Sequence, residues 1–155
     1  METGLFYMAS RRKSIPDIEA FARILRSRRL KATPQRIAVH SAMLELGHAS
    51  ADMVSSHITS SGTRITVASV YNILSQMAEI GVYSRRLSAD SRMYFDVNTS
   101  LHAHLYDTTA NGFRDIEDEE LMAAIESLVR KKRFKGYKID RIDVHLLCHP
   151  TRKSK

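Results

Sequence analysis

The sequence predicts an α+β fold, with an N-terminal winged helix-turn-helix over residues 1–97 and a small α/β domain over residues 102–150. Three observations carry this expectation. Four apolar stripes at helical spacing follow one another, most of them opened by a capping residue. A basic pair of strand patterns comes directly after the fourth. Beyond the polar break Asn98-Thr99-Ser100 the pattern turns to strand, strand, helix, strand. Residues 98–101 read as a hinge and 151–155 as a disordered tail. A length of 155 residues, 43% hydrophobic and 26% charged, is enough to bury a core as one globular unit or two small ones.

Arg11-Arg12-Lys13 reads as a frayed basic lead. After Pro16 and Asp17, the residues Ile18, Phe21, Ile24 and Leu25 recur at helical spacing, and this first helix should end near Arg28 to Leu30. Thr33-Pro34 has the form of an N-cap followed by proline at the first helical position. Ile37, Val39, Ala42, Met43 and Leu46 then form a stripe that stops at Gly47. Ser50 opens a third helix with Met53, Val54 and Ile58 inward, ended by Ser60-Ser61-Gly62. Thr66 caps a fourth that carries Val67, Val70, Ile73, Leu74, Met77 and Ile80 and stops at Gly81. Residues 82–87 and 92–96 read as two strands joined through Ser88 to Ser91, the wing. In the second half, strands are expected over 101–106 and 112–116. A helix over 119–132 has acidic residues early and basic residues late, and a long strand follows over 137–147. A unit of that size has little core of its own, and pairing with a second copy would cover its apolar faces.

The formal net charge is +7 and the pI about 9.8, which fits an anionic partner such as nucleic acid. No apolar run approaches the roughly 18 residues of a bilayer span, and Met1 to Ser10 lacks the order of a signal peptide. A cytoplasmic protein without a membrane partner is expected. Cys148 is the single cysteine, so the chain has no intrachain disulfide and cannot build a four-thiolate zinc site.

His102-Ala103-His104 places two imidazoles on one side of an extended segment, because residues two apart in a strand share a face, and both rings could reach one metal ion. His48, Asp96 and Asp115 are further candidate ligands. Three imidazoles and two carboxylates make a mixed nitrogen and oxygen shell suited to Fe(II), Mn(II) or Zn(II). A His/Asp cluster also serves hydrolases. Five protein ligands leave little room for an activated water, however, and no phosphate loop, HExxH or Ser/His/Asp pattern occurs, so an enzyme is not expected.

Four segments in order, Leu30-Lys31-Ala32-Thr33-Pro34-Gln35-Arg36, Gly47-His48-Ala49-Ser50-Ala51-Asp52, Ala68-Ser69-Val70-Tyr71-Asn72-Ile73-Leu74 and His102-Ala103-His104, resemble successive signatures of the ferric uptake regulator family over roughly residues 18–150. The resemblance implies a homodimeric, metal-responsive transcription factor, a repressor on double-stranded operator DNA, with a C-terminal dimerisation domain. It implies one regulatory divalent metal per chain between the domains, held by His48, Asp96, His102, His104 and Asp115. Aspartate at both carboxylate positions is similar to the peroxide-sensing branch.

The resemblance and helix geometry together point to Ser69, Tyr71 and Asn72 for reading bases in the major groove. Asn72 stands where the family usually has arginine, and asparagine suits adenine better than guanine. Lys31 matches a minor-groove position, and Arg36, Arg85 and Arg86 read as phosphate partners. Two departures stand out. Asp107 and Ala110 occupy the positions of the family's first CxxC pair, which removes the structural zinc. Leu101, Ala103 and Ile142 stand where a further metal site would have ligands. Two other readings stay open: a haem-responsive regulator with Cys148, His102 and His104 as axial ligands, and a metal-independent architectural DNA binder. Cys148 is followed by His149 rather than by proline, unlike typical haem regulatory sequences.

Overall fold

The computed structural model describes residues 14–151, which fall into two compact units divided between residues 99 and 100. The basic lead Arg11 to Lys13 and most of the expected tail lie outside the described residues. Each unit is built by local rules that the sequence states plainly.

In the first unit, Asp17 caps helix α1 (Ile18–Ser27), its carboxylate accepting from Ala20 N–H at 2.8 Å. Thr33 caps α2 (Pro34–Leu46), whose first residue is proline, where a missing N–H costs nothing. Gly47 ends α2 at φ +70 and passes the chain straight into the two-residue strand β1 (His48–Ala49). Ser50 caps α3 (Ala51–Ser60) and Thr66 caps α4 (Val67–Glu79). Strands β2 (Ser84–Leu87) and β3 (Met93–Asp96) form the hairpin, and β1 adds to β3 so that the antiparallel order is β1-β3-β2.

The core of this unit is fully enclosed. Phe21, Leu25, Val39, Met43, Val54, Val70, Leu74, Met77 and Phe95 have no exposed surface, and they come from all four helices and β3. One polar side chain lies among them. The His40 ring stacks on Phe21 with centroids 4.0 Å apart, its Nε2 lies 2.8 Å from Pro16 O, and its Nδ1 lies 2.8 Å from the Tyr83 hydroxyl. A carbonyl only accepts, so Nε2 carries the proton and Nδ1 accepts from Tyr83. Burial pushes the His40 pKa down and the Tyr83 pKa up, which keeps both groups neutral.

The second unit is a three-stranded sheet with one helix. Strand β4 (Ala103–Asp107) is central, antiparallel to β5 (Gly112–Ile116) and parallel to β6 (Val144–Cys148). Asp118 caps α5 (Glu119–Arg130), whose first turn is acidic and last turn basic. The expected long strand over 137–147 is shorter: 137–143 is irregular, and only its last third pairs with β4. Gly136, at φ +83 after five cationic residues in six, ends the preceding segment, and alternation alone does not supply a partner strand.

The turn from β4 to β5 is closed by Asp107. Its carboxylate oxygen accepts from Thr109 N–H at 2.8 Å and Ala110 N–H at 3.2 Å, and these bonds hold its pKa below the ordinary carboxylate value. Thr108 N–H and its hydroxyl both reach Cys148 O, tying the turn to β6.

Candidate metal centre

Each unit contributes its own set of ligand-bearing side chains. In the first unit, His48 and Asp96 are directly opposite across β1 and β3, and Nε2 of the ring lies 3.3 Å from Oδ2 of the carboxylate. Asp96 is buried and supported twice: Arg86 Nη2 donates to Oδ2 at 3.0 Å, and Asn98 N–H donates to Oδ1 at 2.8 Å. Arg86 Nη2 also reaches Ser84 Oγ at 3.1 Å.

In the second unit, His102 and His104 lie beside Asp115, which is paired with His104 across β4 and β5. His102 Nδ1 donates to Ser100 O at 2.7 Å, which leaves Nε2 to face Asp115 Oδ1, 3.0 Å away. His104 Nε2 lies 3.3 Å from the same oxygen, and the two ring centroids are 4.2 Å apart. Three potential ligand atoms thus converge inside one unit, with both rings buried. Such convergence is satisfied by positive charge, either a proton on a ring or a divalent cation among all three. The donor set fits a borderline metal, and the Ser100 carbonyl supplies the outer hydrogen bond that orients a ligating imidazole.

The residues expected to touch DNA are placed differently from one another. Tyr71 and Asn72 are exposed on α4, with Tyr71 44% exposed and its ring edge-on to Phe95 at 6.1 Å. Ser69 is half-buried at the start of α4, where its hydroxyl accepts from Thr66 Oγ1 at 2.9 Å. Lys31 and Arg85 are exposed. Arg36 is engaged inside the unit: it donates to Lys31 O at 2.6 Å and Gln76 Oε1 at 2.7 Å, bracing α2 against α4. Arg86 corrects the expectation outright. Its side chain is 5% exposed and turned onto Asp96, whereas a phosphate partner must face solvent. Strand alternation puts Arg85 out and Arg86 in.

The haem set does not assemble. Cys148 is the register partner of Asp107, three residues along the strands from the His104–His145 pair, so the alternation of β6 turns it to the opposite face of the sheet from His104. His145 and Asp143 escaped the sequence reading. Asp143-Val144-His145 has the same two-residue spacing as His102-Ala103-His104, a usable signal that was absorbed into the expectation of a strand.

A family model described as the ferric uptake regulator family matches residues 27–145. The peroxide-responsive repressor PerR of Staphylococcus epidermidis is 30% identical over 90 residues, which span 57% of this chain and 60% of that protein. The Vibrio cholerae ferric uptake regulator superposes with TM-score 0.71 at 20% identity, covering 84% of this chain and 99% of that one. The Campylobacter jejuni peroxide stress regulator gives TM-score 0.62 at 25% identity, covering 85% and 97%.

Proposed function

Because this chain belongs to the ferric uptake regulator family, a family of transcription regulators rather than enzymes, we propose that it is a homodimeric repressor whose hold on operator DNA is set by one divalent cation per chain. The observation that carries the reading is the convergence of His102, His104 and Asp115 in one unit, matched by the His48–Asp96 pair in the other. We assign all five residues to a single regulatory ion, Fe(II), Mn(II) or Zn(II). Bound there, the ion would supply positive charge to the His102–His104–Asp115 set and add to that of Arg86 at Asp96. Ligands drawn from both sides of residues 98–101 make the angle between the units depend on occupancy, and a dimer matches two half-sites only when that angle is right. To carry such an equilibrium from mostly open to mostly closed, the two states must differ in ion affinity by about 5 kcal/mol.

On the DNA side, α4 is the reading helix, with Tyr71 against thymine methyls and Asn72 on base edges. Ser69 completes the start of that helix, Lys31 enters the minor groove, and Arg85 meets a phosphate. Arg86 serves instead as the clamp on Asp96.

The reading is tested by stripping the protein with a chelator, reloading it anaerobically with Fe(II), Mn(II) or Zn(II), and measuring retained ion and operator affinity together. About one tightly held ion per chain is expected, with operator binding lost on stripping and with both properties absent in His102→Ala/His104→Ala. Equal binding of stripped and loaded protein to specific and random duplex would instead identify an architectural DNA binder.

A further inference from the structure

Strand β4 is flanked on both sides, and the regulatory set uses only one of them. On the β5 side His104 meets Asp115. On the β6 side the parallel register sets His104 beside His145, so that their side chains share a face. The two ring centroids are 5.7 Å apart at 85°, and Phe113 lies edge-on to both, 5.8 Å from His104 and 5.3 Å from His145. Asp143, two residues before His145 on the same side, brings Oδ1 to 3.2 Å from His145 Nε2, while its Oδ2 lies 3.5 Å from Arg141 Nη2. One ligand atom from each of His104, Asp143 and His145 lies within 4.8 Å of the others.

We propose that His104, Asp143 and His145 form a second, alternative divalent-cation site that shares His104 with the regulatory set. Metal–ligand bonds of about 2.0–2.2 Å put neighbouring donors about 3 to 4 Å apart, a spacing the Asp143–His145 pair already has and the third donor reaches with small side-chain movements. Two imidazoles and one carboxylate are a common borderline-metal ligand set, and with three protein donors the coordination shell stays open to water. Arg141 takes one carboxylate oxygen and leaves the other toward His145. With three protein donors instead of five, the β6 side should hold its ion more weakly than the regulatory set. This inference rests on the regulatory reading for its first site but uses different residues for its second.

The test measures Zn(II) binding by equilibrium dialysis and Co(II) binding by visible absorption on the full chain. The parent is compared with His102→Ala/Asp115→Asn, and with that double variant carrying His145→Ala or, on the exposed stretch before β6, Asp143→Asn. The double variant should keep about one ion per chain at affinity at least tenfold below the parent, with a changed Co(II) spectrum. Adding either further substitution should weaken binding at least another tenfold. Identical binding by the double and both triple variants, or no binding by the double variant where the parent binds, overturns the second site and leaves the regulatory reading standing. No binding by the parent overturns both.

Discussion

His40 is a titratable side chain inside a closed apolar core, held neutral by burial while Pro16 O and the Tyr83 hydroxyl satisfy its ring nitrogens. Its depressed pKa links folding to pH with a definite sign. Above about pH 6.5, its ordinary value, folded and unfolded states are both neutral at this position and stability is fully present. As pH falls below that value the unfolded chain takes up the proton first, so stability declines toward the lowered folded pKa. The urea midpoint should therefore drop between pH 7.5 and 5.5, and the drop should shrink in His40→Phe. That variant should also lose about 1–3 kcal/mol at pH 7.5, since Pro16 O and the Tyr83 hydroxyl lose their partner. An unchanged pH slope in His40→Phe would move the linkage to other groups. Arg86 shows the converse at residue scale: a cation in a basic hairpin reads as a surface charge, yet alternation across one strand makes it the counter-ion of a buried carboxylate.

At the scale of elements, helices were far more legible than strand lengths. Asp17, Thr33, Ser50, Thr66 and Asp118 all accept from a backbone N–H three residues ahead, so the start of every helix is written in a local rule. Strands depend on partners elsewhere in the chain. Two residues of β1 exist only because β3 lies alongside, and residues 137–143 fail to pair despite their alternation. The ligand side chains were legible in type and spacing, but His145 became visible only when parallel pairing set it beside His104. The junction of α2 and β1 turns on Gly47, whose φ of +70 is strained for any side chain although a Cβ there meets nothing within 4 Å. Gly47→Ala should cost about 1–3 kcal/mol through backbone strain alone. Because His48 follows immediately, the same substitution should weaken metal retention, which chemical denaturation and dialysis read separately. Retention at the parent level alongside the stability loss would show that the approach of His48 tolerates the strain.

For the molecule as a whole, the second unit leaves much apolar surface uncovered. On edge strand β6, Leu146 is 46% and Leu147 63% exposed, and Leu128, Phe134, Tyr137 and Ile139 are also exposed. An apolar edge strand of that kind asks for a partner, and a second copy is the reading proposed here. Sedimentation should show a concentration-dependent dimer, and Leu147→Asp, which replaces an exposed side chain, should shift it to monomer without lowering the stability of the first unit. A monomeric parent at tens of micromolar would refute the homodimer. No helix among the described residues is long and apolar enough to cross a membrane. Asp107, finally, closes the β4–β5 turn with its own carboxylate on two backbone N–H groups, so the turn is held by bonds within the chain. Under the proposed reading, the bonds that close this turn and the side chains that would hold the ion are different atoms, so a chelator should strip the ion while the second unit keeps its fold, which circular dichroism of the stripped protein checks.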